Sequence, residues 1–332
     1  MDFEIIMEKI QSLSLSVVIP VKNEENRIVK CLDSIFSAKI DLNFEVIVVD
    51  NGSTDQTVSI VESYGCRVLI APEVTISGLR NLGARNANGA ILAFVDADVE
   101  VSYLWAEIAL SLLHASSTLS CITGKINISP QPTWVEKTWG MNRTEKSKQH
   151  LVDWASSMNM FVKKNDFFKV NGFNEKMVTC EDVDFSYRLR QAGMNILYDE
   201  RVAVTHHGEA KTLYQFFKKE KWRGVSLLDG ILSHGLKREE LPSLSQVIFF
   251  LVAFFSLLIF TVNRNLLLSI FACGAMVSLP FMRAVILSYK NKTIKSFGQL
   301  LVIWFIYYVA RGIAFIENII GLFIRKLKVR IW

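Results

Sequence analysis

Two aspartates separated by a single alanine, Asp96 and Asp98, close the apolar run ILAFVD at residues 91–96. An apolar run of that length reads as a buried strand, and carboxylates are seldom left in such surroundings without a partner. A strand that delivers two carboxylates to its end makes a pincer for a hard cation, Mg2+ or Mn2+, which takes oxygen ligands and keeps waters or substrate phosphates in its shell. The plain alternative is a pair of turn aspartates capping the next helix, since Asp-x-Asp alone is common.

The elements around this pair decide what it can reach. LSVVIPV (15–21) and FEVIVVD (44–50) are short β-branched runs of the kind covered on both faces, and EENRIVKCLDSIFSA between them sets Ile28, Leu32, Ile35 and Phe36 at helical spacing. A helix after residue 54, a strand at 66–71 and a helix over 76–89 lead into the strand that carries the aspartates. Alternating strands and helices predict an α/β fold with a doubly wound, mostly parallel sheet, whose ligands sit at the carboxyl ends of the strands. Asn23, Glu24, Asp50, Asp96 and Asp98 therefore fall on one rim. From about residue 101 to 150 the periodicity weakens, and TGKINISPQPTWVEKTW reads as a strand followed by an irregular, tryptophan-bearing loop. Residues 156–173 read as strand, short helix and turn. Residues 181–193 read as a helix with Val183, Tyr187 and Leu189 or Arg190 one turn apart, and 195–207 as a strand.

The chain has 332 residues, 51% of them hydrophobic, and a net charge of +5. Up to about Leu244 charges and apolar runs alternate as in a soluble α/β protein; beyond it three apolar segments dominate, at about 245–262, 266–287 and 298–324. This divides the chain into a catalytic domain over 1–240 and a membrane region over 241–332. A helix needs about 20 apolar residues to cross a bilayer, and Arg311 with Glu317 in the third segment are costly at mid-bilayer. The basic stretches at 288–296 and 325–330, weighed by the positive-inside rule, favour two spans plus an interfacial or re-entrant helix over three spans. A modest basic excess near an apolar tail points to a membrane surface and not to nucleic acid. Five cysteines without metal or disulfide spacing read as reduced thiols, and the acid-bearing N-terminus does not read as a secretory signal. Both argue for a catalytic domain on the cytoplasmic side of a multi-pass inner-membrane protein.

Four stretches, VVIPVKNEENRIVKCLDSI, VIVVDNGSTDQTVSIV, GLRNLGARNANGAILAFVDADV and MNMFVKKNDFFKVNGFNEKMVTCEDVDFSYRLRQAG, occur in order and at natural spacing. Together they resemble the family 2 nucleotide-sugar glycosyltransferases of GT-A fold, over about residues 15–225. Lys22 stands where that family usually has an aromatic residue, and Asn51 replaces the second aspartate of its turn. The resemblance implies that Pro20, Val21, Asn23 and Glu24 line a nucleoside pocket and that Asp50 binds base or ribose. It further implies that Arg80 meets the nucleotide and that Asp96 and Asp98 hold ribose and a metal diphosphate, Asp98 the more directly. The V-x-H-x-G pattern makes His206 a third metal ligand, with His207 the runner-up. Glu181–Asp182 matches the acidic pair before a helix, with Asp182 as base and Glu181 orienting the acceptor. The implied reaction is transfer, with inversion, from a UDP- or GDP-sugar to a lipid-linked saccharide or glycolipid in cell-envelope synthesis, with polyprenyl phosphate as the alternative acceptor. KKEKWRG lacks the glutamine of processive synthases, so polymerisation is not implied; its Lys218, Lys219, Lys221 and Arg223 suit a diphosphate or lipid headgroups equally.

Two other classes remain. A nucleotidyltransferase shares the sheet and the metal carboxylates, yet it needs a glycine-rich basic loop where this chain reads PVKNEEN. An inactive membrane scaffold is disfavoured by the joint presence of Asp50, Asp96, Asp98 and Asp182.

Overall fold

The computed structural model describes residues 15–142, 148–225 and 241–329. The described residues of 1–129 and 146–208 form one compact unit, and those of 130–145 and 209–332 form a second. The N-terminal segment and the end of the basic tail lie outside the described residues.

The first unit is built on a nine-stranded sheet. Strands β1 (Leu15–Val21), β2 (Phe44–Asp50), β3 (Arg67–Ile70) and β4 (Ile91–Val95) run parallel in the order β3-β2-β1-β4. β1 is buried along its whole length, which is why it reads as an unbroken apolar run. Helices α1 (Ile28–Ser37), α2 (Thr57–Ser63) and α3 (Ile76–Asn86) connect these strands. Beyond β4 the sheet becomes mixed. β5 (Val99–Val101), β6 (Leu119–Ile128), β7 (Gln149–Leu151), β8 (Asn159–Lys163) and β9 (Asn195–His206) complete it, with β8 antiparallel to both β4 and β6. Alternate residues of the parallel strands feed two cores. Val17, Ile19, Val46 and Ala93 pack with α1 and α4 (Trp105–Ala115), whereas Val18, Ile47, Val49 and Phe94 pack with α3, α6 (Lys164–Lys169) and α7 (Glu181–Gln191). Gly83 lets α3 lie against the sheet, for a Cβ there would stand 2.3 Å from Val18 Cγ1.

Four readings from sequence are corrected here. The weakly patterned 101–150 region contains α4, whose Trp105 and Ala109 are buried against the sheet. The expected tryptophan loop is helix α5 (Trp134–Gly140), started by a capping box in which Thr133 accepts from the Glu136 backbone and Glu136 accepts from the Thr133 backbone. The inward face of α7 is Glu181, Asp184, Phe185 and Leu189, while Val183 is exposed, because the packing partner is the Phe167–Phe173 cluster. Phe36 is likewise exposed and lies against Phe44 and Tyr64.

In the second unit, α8 (Leu213–Arg223), α9 (Leu241–Val262), α10 (Leu266–Lys290) and α11 (Phe297–Val329) join α5. Asn265 caps α10 by accepting from the Leu268 amide, so α9 and α10 form a hairpin over a three-residue turn, 263–265. α9, α10 and the Phe297–Leu322 part of α11 are each long and apolar enough to cross a membrane.

Candidate active site

The residues expected to bind donor and metal or to act as base lie in the first unit, whereas Lys218, Lys219, Lys221 and Arg223 lie in the second. Two turns after β1 and β2 are laced together. Asn23 has a left-handed backbone (φ 53°); its Oδ1 accepts from the Thr54 amide at 2.8 Å, and its own amide donates to Ser53 Oγ at 2.9 Å. Asp50, 1% exposed, accepts from the Gly52 and Ser53 amides at 2.9 Å each and from the Ser53 hydroxyl. Its carboxylate thus holds the DNGS turn in shape. The Glu24 amide donates to Thr57 Oγ1 at 2.8 Å. Pro20 and Val21 are buried in β1, and the Val21 carbonyl accepts from the Asn51 amide at 2.9 Å.

The Asp-Ala-Asp turn joins β4 to β5. Ala97 is sunk in the core, while the side chains of Asp96 and Asp98 keep 25% and 18% exposure. Asp96 Oδ1 accepts from Arg80 Nη2 at 2.6 Å, and Glu181 Oε1 accepts from Arg80 Nη1 at 2.7 Å. Burial works against the charge of Arg80, but Asp96 and Glu181 outweigh it and hold its pKa above the ordinary value. Arg80 therefore links a strand-end acid to the start of α7. On the other side, antiparallel pairing sets Val99 opposite His206, which brings His206 Nε2 to 3.4 Å from Asp98 Oδ2. His207 instead meets Glu100 at 2.9 Å. The backbone passes so close at Gly208 that a Cβ would stand 1.7 Å from Asp98 Oδ2. Arg27 lies between Glu24 and Asp98, its Nε 2.7 Å from the first and its Nη1 3.8 Å from the second. Burial raises the pKa of Glu24; Arg27 pulls it back and the charge of Asp98 adds to it.

Asp182 sits beside the Arg80 clamp. Its Oδ2 accepts from the Ser157 amide at 3.4 Å, and the Ser157 hydroxyl donates to Glu181 at 3.3 Å. Burial first, then the negative charge of Glu181, push the Asp182 carboxyl up to about 7, against the opposing pull of Arg80. A carboxyl poised there can exchange a proton at neutral pH.

Residues 16–170, which carry Arg80, Asp96 and Asp98 of this rim, are matched by the family model for glycosyl transferase family 2. The chain carries a family 2 glycosyltransferase domain. Glycosyltransferase AglE of Haloferax volcanii is 28% identical over 216 residues, covering 62% of this chain and 70% of its own. A chondroitin synthase of Pasteurella multocida is 25% identical over 185 residues, 54% of this chain but 19% of the synthase. Among solved structures, a mannosyltransferase from Pyrobaculum calidifontis, in complex with GDP-Man and Mn2+, overlaps 92% of this chain and 86% of its own with a TM-score of 0.59 at 16% identity. That overlap establishes the GT-A-like fold.

The donor set of this glycosyltransferase fits a divalent cation. Asp98 and His206 converge as carboxylate oxygen and imidazole nitrogen, a combination Mn2+ accepts, and the missing side chain at Gly208 leaves room beside both. Among the described residues no three His, Cys, Asp or Glu side chains gather round one point. The remaining positions would fall to water and phosphate oxygens, as is usual for such ions. Two contributors, Arg27 and Ser157, escape sequence reasoning, and the glycine of V-x-H-x-G gains its reason only here. Arg27 carries a faint signal, one helical turn after Glu24 in NEENR. Gly208 is explained by the contact with Asp98. Ser157 has no signal, because it enters from the loop before β8.

Proposed function

We propose that this chain moves a sugar from a UDP- or GDP-sugar to the hydroxyl of a lipid-linked or membrane-proximal acceptor, with inversion at the anomeric carbon. One observation carries the reading: Arg80, buried and bonded to both Asp96 and Glu181, joins the acids of the donor side to Asp182. In this mechanism Asp182 takes the proton of the acceptor hydroxyl, and the acceptor oxygen attacks the anomeric carbon. The bond to the diphosphate breaks, and the nucleoside diphosphate leaves with the electron pair. Glu181, fixed by Arg80 and Ser157, orients the acceptor. Asn23, Glu24, Asp50 and Asp96 line the nucleotide side, with Pro20 and Val21 as its floor. A divalent cation held by Asp98 and His206, with Asp96 beside them, would offset the charge of the departing diphosphate. A hydroxyl acceptor needs a base such as Asp182, whereas a polyprenyl phosphate, whose oxygen is already charged, would need none.

The apolar helices support anchoring in the cytoplasmic membrane, with residues 1–240 as the cytoplasmic catalytic part and 241–332 as the anchor. Phe255, Ile259, Phe271 and Leu267 are all more than 45% exposed, an apolar surface suited to lipid and not to water. The test is a panel of UDP- and GDP-sugars offered to the purified full chain in detergent with Mn2+. Metal-dependent release of nucleoside diphosphate from one donor is expected; undiminished turnover in excess chelator would remove the metal from the reading.

A further inference from the structure

The geometry points to α11 lying in the plane of the membrane surface under α5 and α8, with only α9 and α10 crossing the bilayer. This rests on the membrane reading proposed above and decides how the third apolar helix is used.

The first observation is what flanks α11. Thr138 of α5 donates to Gln299 at 3.4 Å, and Trp139 packs against Trp304 and Tyr307 with ring centroids 5.8 and 5.9 Å away. Phe216 of α8 packs with Ile303, and Arg311 reaches Glu220 at 3.1 Å. Lys221 reaches Glu317 at 2.7 Å, and Asn318 donates to the Gly224 carbonyl at 3.1 Å. From Gln299 to Asn318 the helix axis rises about 28 Å at 1.5 Å per residue. That is close to the full hydrocarbon thickness of about 30 Å.

Along this whole length α11 shares its depth with α5 and α8. Five of the eleven residues of α8 are charged, Lys218, Lys219, Glu220, Lys221 and Arg223. Such a helix does not enter hydrocarbon. If α11 crossed the bilayer, α8 would be carried in with it. Exposed aromatics set the depth instead: Trp134 on α5, with Tyr214 and Trp222 on α8, face outward, and rings of this kind settle at the headgroup level.

The second observation is where α11 meets the hairpin. Tyr308 donates to Gln246 at 2.8 Å and stacks near Phe250, while Phe297 meets Phe281 and Trp304 lies under Arg283. These partners belong to the first half of α9 and the second half of α10, which is the same end of the hairpin. α11 therefore crosses that end. Val302, Ile313, Ile320 and Ile324, spaced by 11, 7 and 4 residues, leave an exposed apolar stripe along α11, bordered by Glu317, which is 54% exposed and turned to Lys221 of α8. Its occupant is the acyl–headgroup boundary, as for any amphipathic helix lying in an interface.

The full chain tests this, expressed in bacterial membranes with green fluorescent protein or alkaline phosphatase at either end. Both ends are expected on the cytoplasmic side, with fluorescence and without phosphatase activity, and Asn263→Cys is expected to react from outside with an impermeant maleimide. Active phosphatase at the C-terminus alone overturns the inference. Spin labels on Ile313→Cys and Leu258→Cys give a second reading independent of fusions. Contact with a water-soluble nickel chelate is expected to be several-fold greater for the first than for the second, and equal values overturn the inference. Release of the chain by alkaline carbonate overturns the membrane reading itself, whereas retention with the two ends on opposite sides overturns only the in-plane helix.

Discussion

Two of the buried clusters built around arginine and carboxylate, one in each unit, have opposite charge balance. In the catalytic unit a single guanidinium, Arg80, serves Asp96 and Glu181 with Asp182 close by, so acids outnumber the cation. In the helical unit a single buried carboxylate, Glu220, serves Arg223 at 2.5 Å and Arg311 at 3.1 Å, so the cations are in excess. A buried ion pair by itself says little about function, because desolvation offsets most of its attraction. What separates the two clusters is the leftover group. Asp182 is a third acid that shares that one cation, and burial first, then the charge of Glu181, raise its proton affinity. The surplus cation around Glu220 only joins α8 to α11.

The largest expected effect is at the leftover acid. Asp182→Asn should lower kcat by about 100- to 10,000-fold with little change in the donor KM, the range for loss of a general base. In the unaltered enzyme kcat/KM should climb with pH and level off above about 7, since the base works only when deprotonated and kcat/KM reports the free enzyme. An unchanged rate in the variant would remove Asp182 from the chemistry. Next comes Arg80→Gln, which leaves Glu181 buried and Asp96 half-buried without their cation. Its cost to stability is about 3–5 kcal/mol, read as a lower unfolding temperature, and the pH limb should move upward as Asp182 loses the opposing positive charge. Glu220→Gln should destabilise by about 1–3 kcal/mol, because Arg223 and Arg311 keep partial access to solvent. Its turnover per folded molecule should be unchanged; a loss of turnover at full folding would erase the contrast drawn between the clusters. The smallest effect is expected for Arg27→Gln. Removing the cation between Glu24 and Asp98 should tighten Mn2+ binding about two- to ten-fold by calorimetry, since nearby like charge opposes the ion.

The parallel half of the sheet was legible from its composition. β1, β2 and β4 are covered on both faces, so they must be apolar throughout, and their ends had to carry the polar residues. The same logic failed for α4 and α5. α4 is apolar on most sides and shows little periodicity, and α5 is seven residues long, so its capping box Thr133-x-x-Glu136 was the one local signal. The face of α7 was misread because Glu181 and Asp184, polar by type, are turned inward to Arg80 and Arg188.

By itself the sequence determined the strand ends, the order of the motifs, the family and the three apolar helices, all of which follow from local pattern and spacing along one chain. Tertiary structure decided the rest. It joined Arg80 to residues 16 and 101 positions away, set His206 and not His207 beside Asp98, and made Gly208 a necessity. It also gave Arg311 and Glu317 partners on α8. The physical reason is common to all four. A charge can be kept in a poorly solvated place only by an opposite group brought there through folding, and no spacing along the chain records which group that is.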